Sequence, residues 1–302
     1  MQLRFRTIVG TILAIGLAWS CPGLALPSRA QELPLDESAA KGRQLVQQVI
    51  ATLGGPAYLN VRDSECLGKV AQFGAIGDSP NFTEFRDLWL LPDKNRTEYR
   101  TQGEHTILGF LMGAQGLLIT HGGANVTVFN GSEGWALDRK GITPQPDDAI
   151  TGFNEQVKSG MNNMLRKRMN EPGVDVRYAG PDLIDLKEAE WIEFTDSDHR
   201  VMRLGIEKYS HLPLRWVVST RNPETRVTAE AMTSYTQYMM MDGVKTPLSI
   251  ELYNNDHKLS QTFLSSCKYN SDIIPQLFTR ASLEQLAAET AKKGKKDSKI
   301  SK

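Results

Sequence analysis

The sequence has few of the residues and patterns on which common enzymatic chemistries depend. Only five histidines and three cysteines occur in 302 residues, and no histidines are spaced to share a metal ion. The HExxH, CxxC and Gly-x-Ser-x-Gly patterns are absent, as is a phosphate-binding glycine loop with its lysine. We therefore predict no catalytic residue, no metal, no cofactor and no enzymatic activity.

Long apolar runs and an excess of basic charge are also missing. Beyond residue 30, no stretch reaches the roughly 18 apolar residues of a membrane-spanning helix, and the nearest, 107–120, is interrupted by Gln115 and glycines. Residues 31–290 carry 26 basic and 34 acidic side chains. Because nucleic-acid binding needs a basic face, we exclude nucleic acid as a partner.

The first 30 residues have the features of a secretion signal. Arg4 and Arg6 precede the apolar stretch 8–18, and residues 28–30 (Ser-Arg-Ala) place small side chains before a cleavage site. We predict that residues 1–30 are a signal peptide and that the protein is exported. The alternative is a lipoprotein signal with residues 18–21 as lipobox and a lipid anchor on Cys21.

Two cysteines, Cys66 and Cys267, remain after that cleavage. Each lies in a segment with strand-like alternation, near the first and last strands of the predicted sheet. An oxidising compartment permits a disulfide between them. Two free buried thiols are an equally good interpretation, so both alternatives stay open.

The hydrophobic period changes along the chain from helical to strand-like. Apolar residues at helical spacing predict a helix over 38–53, ended by Gly54-Gly55-Pro56. From Cys66 the period is two, and residues 82–91 place Phe85 and Trp89 on one face. Asn130-Gly131 predicts a hairpin between 126–129 and 135–137.

The second half of the chain predicts one long helix and then successive strands. Acidic residues begin the segment 147–169 and basic residues end it, which favours a helix. Short turns between the later strands indicate an antiparallel sheet. The predicted strands are 95–100, 174–178, 183–186, 190–194, 201–207, 214–219, 227–238, 249–254 and 261–269.

We predict one domain over 31–280, with a packed segment at 275–278. A short helix, 282–291, and a disordered lysine-rich tail occupy residues 281–302. Asp196-Ser197-Asp198-His199 could ligate a cation, but a turn between strands is favoured, because aspartate and serine side chains commonly bond their own backbone there. The apolar, glycine-rich stretch 107–119 holds Phe110 and Met112, which are candidates for a mobile lid over an apolar pocket. An ordinary buried turn and strand is the alternative.

Three segments carry a resemblance to a known family. They are the helix 38–53, the run Asp87-Leu88-Trp89-Leu90-Leu91-Pro92-Asp93-Lys94-Asn95-Arg96, and the run 128–135 with its Asn-Gly turn and Trp135. In this order they resemble the periplasmic lipoprotein carrier and sorting proteins with the LolA/LolB-like fold. Residues 209–215, 238–247 and 269–278 are similar to a distant branch of that family.

The resemblance implies a mainly β (α+β) fold, an antiparallel sheet rolled into an incomplete barrel that helices plug around an apolar cavity. It also implies a periplasmic protein that carries lipid. In the best-known carriers an arginine directly precedes the proline after the aromatic strand and bonds the lid helix. Leu91 holds that position here, so the resemblance does not extend to that bond.

We expect a monomeric, non-enzymatic envelope protein whose cavity binds a lipid, an acyl chain or a lipoprotein anchor. The expected lining residues are Phe85, Trp89, Leu91, Trp135, Trp216 and Tyr238. The first alternative is a module with a filled core that binds another envelope protein. The second is a hydrolase without a recognisable motif, for example one that uses His211 with Asp242.

Overall fold

The structure, a computed structural model, describes residues 34–73, 82–100, 106–110, 117–121, 124–138, 140–221, 226 and 228–300. The predicted signal peptide, Cys21 and Met112 lie outside these residues. The helices are α1 (Leu35–Leu53), α2 (Pro56–Leu59), α3 (Asp147–Ser159), α4 (Met161–Arg166) and α5 (Arg280–Ile300), with 3-10 helices over Arg168–Asn170 and Pro275–Phe278.

Fifteen strands are described. They are β1 (Asp63–Gln72), β2 (Thr83–Leu90), β3 (Lys94–Arg100), β4 (Thr106–Phe110), β5 (Leu117–His121), β6 (Ala124–Asn130), β7 (Glu133–Asp138), β8 (Gly141–Pro144), β9 (Asp175–Ile184), β10 (Lys187–Thr195), β11 (Val201–Glu207), β12 (Pro213–Arg221), β13 (Thr228–Met241), β14 (Val244–Asn254) and β15 (His257–Tyr269).

Thirteen of these strands form one antiparallel sheet, and β4 and β5 pair only with each other. The order in the large sheet is β8-β7-β6-β3-β2-β1-β15-β14-β13-β12-β11-β10-β9. The first and last strands of the chain therefore pair at its centre, and β8 and β9 form its two edges. The segment that contains α3 and α4 connects one edge to the other.

The sheet is rolled, as the contacts of α3 demonstrate. The ring of Phe153 stacks on that of Phe129 in β6, with centroids 4.5 Å apart. Six residues later, the Ser159 carbonyl accepts a 2.9 Å hydrogen bond from the indole of Trp216 in β12. β6 and β12 are seven strand spacings apart, which is roughly 34 Å in a flat sheet.

Between those two contacts the helix rises only about 9 Å. Side chains cannot span the remaining distance, so the sheet must curve around α3. The sheet does not close, since β8 does not pair with β9. The predicted fold class, an incomplete antiparallel barrel plugged by helices, is confirmed.

Two of the three apolar cores in the described residues cover opposite faces of the sheet. On the inner face, α1, α2 and α4 pack on β9–β12, and the centre of this core includes Val46, Met164 and Phe194. On the outer face, Phe278 and Leu283 pack against β2, β6 and β7. Helix α1 provides a continuous apolar stripe to the inner core because its buried residues recur at helical spacing. These residues are Leu45, Val46, Val49, Ile50 and Leu53.

Cys66 and Cys267 form a disulfide with an S–S distance of 2.02 Å. They are direct partners in the register of β1 and β15. The bond therefore joins residues that are 201 positions apart in the sequence at the centre of the sheet.

Three predicted elements need correction. The helix predicted over 147–169 is broken, because Gly160 adopts an extended backbone between α3 and α4. The strands predicted over 174–178 and 183–186 are one strand, β9, whose Pro181 is tolerated because an edge strand has no partner for the missing N–H. The final helix is longer than predicted and includes the lysine-rich segment to Ile300, since lysine and alanine favour helix.

Candidate ligand-binding site

The register of the sheet identifies which side chains share the inner face with α1 and α3. Trp216 lies on this face because its indole bonds α3, and it pairs with Thr233, which pairs with Leu252. Two residues after Thr233 on β13, Tyr235 pairs with Ile250 of β14. The partner of Ile250 on β15 is Thr262. Since alternate residues of a strand share a face, all of these side chains point inward.

The same row continues into the N-terminal strands. Thr262 pairs with Val70, and Leu264 pairs with Gly68. Gly68 in turn pairs with Phe85, and Phe85 pairs with Tyr99. The inner face is thus continuous from β13 to β3.

We call the central part of this face the inner strip. Its apolar members are half-buried, and none belongs to a buried core. Its polar members are half-buried hydroxyl residues on the same rows. The inner strip consists of Val70, Phe85, Ile250, Leu252 and Leu264, with Tyr99, Tyr235 and Thr262. The strip therefore leaves apolar surface accessible on the inner face of the barrel, beside the parts of that face that α1 and α3 cover.

The ring of Phe85 occupies the space beside Gly68, its partner on β1, where a larger residue would have its side chain. A Cβ on Gly68 would lie 3.0 Å from the Phe85 ring and 2.4 Å from the Phe263 carbonyl oxygen. The register of β1 and β15 also shifts between Leu67 and Gly68, and such bulges bend a strand. A bulkier residue at position 68 would displace both the ring and the strand.

A polar cluster around Asp87 adjoins the inner strip on β2 and β3. One carboxylate oxygen accepts the indole N–H of Trp89 at 2.7 Å. The other accepts the Asn95 amide at 2.9 Å and the Thr97 hydroxyl at 2.7 Å. Burial raises the pKa of Asp87, and these three hydrogen bonds oppose the shift. Burial, together with the nearby Asp87, also raises the pKa of Tyr99.

The raised pKa of Asp87 predicts a pH-dependent difference between wild type and Asp87→Asn. The folded state favours the protonated carboxyl of Asp87. The stability that this protonated group contributes is fully present below the ordinary pKa of about 4, and it is lost as the pH rises through the raised pKa of the folded state. We therefore expect stability to shift in favour of the variant as pH rises across that window. Urea unfolding at a series of pH values measures the difference, and a constant difference would contradict the raised pKa.

The predicted lining residues do not all line one cavity. Phe85 belongs to the inner strip, and Trp89 shares its face but stacks on Phe153 of α3, with ring centroids 5.7 Å apart. Trp216 is only 3% exposed in the inner core. Leu91 and Tyr238 pack against the same core, and the Tyr238 hydroxyl donates to the Pro213 carbonyl at 2.9 Å.

Trp135, which we expected to line the cavity, lies on the outer face of the sheet. It pairs with Val128 and packs on the outer core beside α5, whereas the neighbouring Phe129 points inward to α3. The face of β7 depends on its register with β6, which alternation alone does not specify. The lid candidate Phe110 ends β4, and its side chain is outside the described part of the structure.

The residue that the sequence analysis missed is Arg166, at the end of α4. Its guanidinium carbon lies 4.4 Å from the centre of the Tyr58 ring. The Tyr58 hydroxyl donates to Asn162 at 2.9 Å, and Tyr269 shares a 2.8 Å hydrogen bond with Thr246. Burial raises the pKa of Tyr58 to about 12. The sequence signal for Arg166 was its place in a basic run, which is equally typical of a solvated helix end.

A cavity of about 620 Å³ shares Phe85 and Tyr99 with the inner strip, but none of the other residues of the strip lines it. Much of its lining is charged and includes Lys69, Glu84, Arg86 and Glu98, and Leu286 of α5 adjoins it. Arg86 forms ion pairs with Glu65 at 2.7 Å and with Glu98 at 3.5 Å. Five of the residues that line the cavity are charged, so this cavity does not match the predicted apolar pocket.

The segment 196–199 forms a turn. One Asp196 oxygen accepts the backbone N–H groups of Asp198 and Arg200, both at 3.0 Å, and the other pairs with Arg168. Among the described residues, no three His, Cys, Asp or Glu side chains are grouped to hold a metal ion. In the same residues no hydrogen bond joins His211 to Asp242, whose carboxylate accepts the Tyr269 backbone N–H at 3.1 Å.

No family model and no curated protein matches the sequence. Within the described residues, none of the helices is both long and apolar enough to cross a membrane. A domain from Vibrio parahaemolyticus, named as an outer membrane lipoprotein-sorting protein domain, is similar over 81% of this chain and 99% of its own, with 12% identity and a TM-score of 0.49.

Two further solved structures are similar. A DUF1329 family protein from Desulfovibrio piger matches over 82% of this chain and 99% of its own, with 10% identity and a TM-score of 0.49. A LolA superfamily protein from Nitrosomonas europaea matches over 80% and 99%, with 10% identity and a TM-score of 0.47. At low sequence identity, the chain is similar to solved LolA-superfamily and lipoprotein-sorting domains.

Proposed function

We propose that this protein is a non-enzymatic component of the cell envelope that binds a lipid, an acyl chain or a lipoprotein anchor on its inner strip. The observation that carries the proposal is the accessible apolar surface of Val70, Phe85, Ile250, Leu252 and Leu264. These side chains lie on the inner face of a rolled sheet, and none is part of a buried core. Concave apolar surfaces with a few polar groups are typical of ligand sites.

The inner strip suits a flexible hydrocarbon chain. Each methylene removed from water contributes about 0.8 kcal/mol, so about ten methylenes contribute roughly 8 kcal/mol before the entropy of association is subtracted. Tyr99, Tyr235 and Thr262 are the polar members of the strip, and their hydroxyl groups interrupt its apolar surface. No nucleophile or base is needed for such binding, which accords with the absence of a catalytic motif in the sequence.

The proposal is tested by lipid content and by direct titration. The purified mature protein is extracted with organic solvent and analysed by mass spectrometry, and a fluorescent fatty acid is titrated into the delipidated protein. We expect co-purified lipid and saturable binding. Absence of both would contradict the proposal and would favour the alternative of a module that binds another envelope protein.

Leu252→Arg is expected to weaken binding of the fluorescent fatty acid by about tenfold or more, which corresponds to 1.4 kcal/mol. The added guanidinium lies in the path of the chain and loses hydration when the chain binds. Leu183→Arg is the matched control, because Leu183 on edge strand β9 is 60% exposed and outside the inner strip. Equal affinities of the two variants would contradict the assignment of the site.

A further inference from the structure

Arg166 is an interior cation without an acidic partner. Among the described residues, its guanidinium forms no ion pair and no hydrogen bond, and Nε is shielded from solvent without a partner. Its contact is with the face of the Tyr58 ring. The side chain as a whole is half-buried.

Arg203 on β11 likewise has a shielded Nε without a partner, whereas the buried Arg96 and Arg168 both have acidic partners. Arg96 pairs with Glu98 at 2.6 Å and donates to the Leu277 carbonyl. Arg168, two residues from Arg166, pairs with Asp196 and Glu171. An arginine that loses hydration without gaining an anion is unfavourable, and burial accordingly lowers the pKa of Arg166.

The surroundings of Arg166 offer polar groups that are already occupied. The hydroxyls of Tyr58 and Tyr269 are bonded to Asn162 and Thr246. Of this group, Arg166 alone retains unused donors, because its contact with Tyr58 involves the ring face. A guanidinium matches the geometry of carboxylate and phosphate groups.

The cluster is next to the inner strip. Tyr235 of the inner strip packs against the inner core that contains Tyr58, and Tyr235 pairs with Ile250 in the register of β13 and β14. A chain that lies on Ile250 and Leu252 can therefore end close to the guanidinium.

We propose that Arg166 binds the anionic head, a carboxylate or a phosphate, of the lipid whose chain lies on the inner strip. This inference rests on the proposed function and adds the class of ligand, an acidic lipid. The guanidinium supplies the charge-assisted hydrogen bonds, and its contact with the Tyr58 ring holds it in place.

The test compares palmitic acid, its uncharged methyl ester and a lysophosphatidic acid. We measure their affinities at neutral pH for wild type, Arg166→Met and Arg203→Met. Wild type should bind the two acids more tightly than the ester. Arg166→Met should weaken binding of the acids by about tenfold and leave the ester unchanged, because only the acids lose a charged hydrogen bond.

Arg203→Met is a matched control, since Arg203 also lies over an aromatic ring, 5.0 Å from the centre of Trp191, but on the opposite face of β11. It should leave all three affinities unchanged. Retained ester binding shows that Arg166→Met is folded. An unchanged ratio of acid to ester affinity in Arg166→Met would overturn the inference while the proposed function stands. Failure of wild type to bind any of the three would instead overturn the proposed function.

Discussion

A variant with alanine at both Cys66 and Cys267 is expected to have a free energy of unfolding about 4 kcal/mol below that of the wild type. The disulfide joins residues 201 positions apart, so it removes much of the freedom of the unfolded chain. The entropy model gives about 5 kcal/mol for such a loop, and measured losses are usually smaller. The folded variant keeps the pairing of β1 with β15, because backbone hydrogen bonds hold that register.

Urea unfolding under non-reducing conditions measures this loss. The wild type with a reductant serves as the control and should unfold at the same urea concentration as the double variant. The variant itself should not respond to reductant. Equal unfolding midpoints of oxidised wild type and variant would show that the cysteines do not constrain the chain.

Much of the sheet could be predicted from the sequence because its signals are local. Alternation placed Phe85 and Trp89 on one face, and Asn130-Gly131 marked the β6–β7 hairpin, where Gly131 has a φ of +63°. The pairing of β1 with β15 could not be predicted. It joins residues about 200 positions apart, and periodicity contains no information on which distant strands meet. For the same reason, the sequence alone did not decide whether Cys66 and Cys267 form a disulfide.

The site was harder to predict because it depends on register and on packing. Trp135 and Trp89 are both aromatic residues on strands, yet one packs on the outer core and the other on α3. Trp216 fills the inner core because α3 ends beside it, which no local pattern indicates. The inward position of Arg166 likewise depends on the break at Gly160, which starts a new helix after α3.

Arg166 lies in the segment that connects the two sheet edges, at the end of α4 and two residues before Arg168. The anchoring of that segment is therefore important for the proposed binding of the lipid head.

Asp196→Ala is expected to lower the free energy of unfolding by about 3 kcal/mol, because it removes the buried carboxylate of Arg168 and leaves that guanidinium only Glu171 and the Lys158 carbonyl. Asp196 is 1% exposed, and its carboxylate accepts from both terminal nitrogens of Arg168, at 3.2 and 3.3 Å. This pair fixes the 3-10 helix after α4 to the turn between β10 and β11. Its loss should also loosen Arg166, so palmitic acid should bind more weakly to this variant than to wild type.

Asp198→Ala is the control for this prediction. Asp198 is in the same turn, but its side chain is 55% exposed and pairs with Arg200 at the surface, so a loss of only about 0.5 kcal/mol is expected.

Urea unfolding in the presence of calcium or of a chelator distinguishes the Arg168–Asp196 ion pair from a cation site at 196–199. Equal midpoints in the two solutions support the ion pair, because a bound cation would stabilise the folded state in proportion to its concentration. Equal losses in Asp196→Ala and Asp198→Ala would contradict the assigned role of the buried pair.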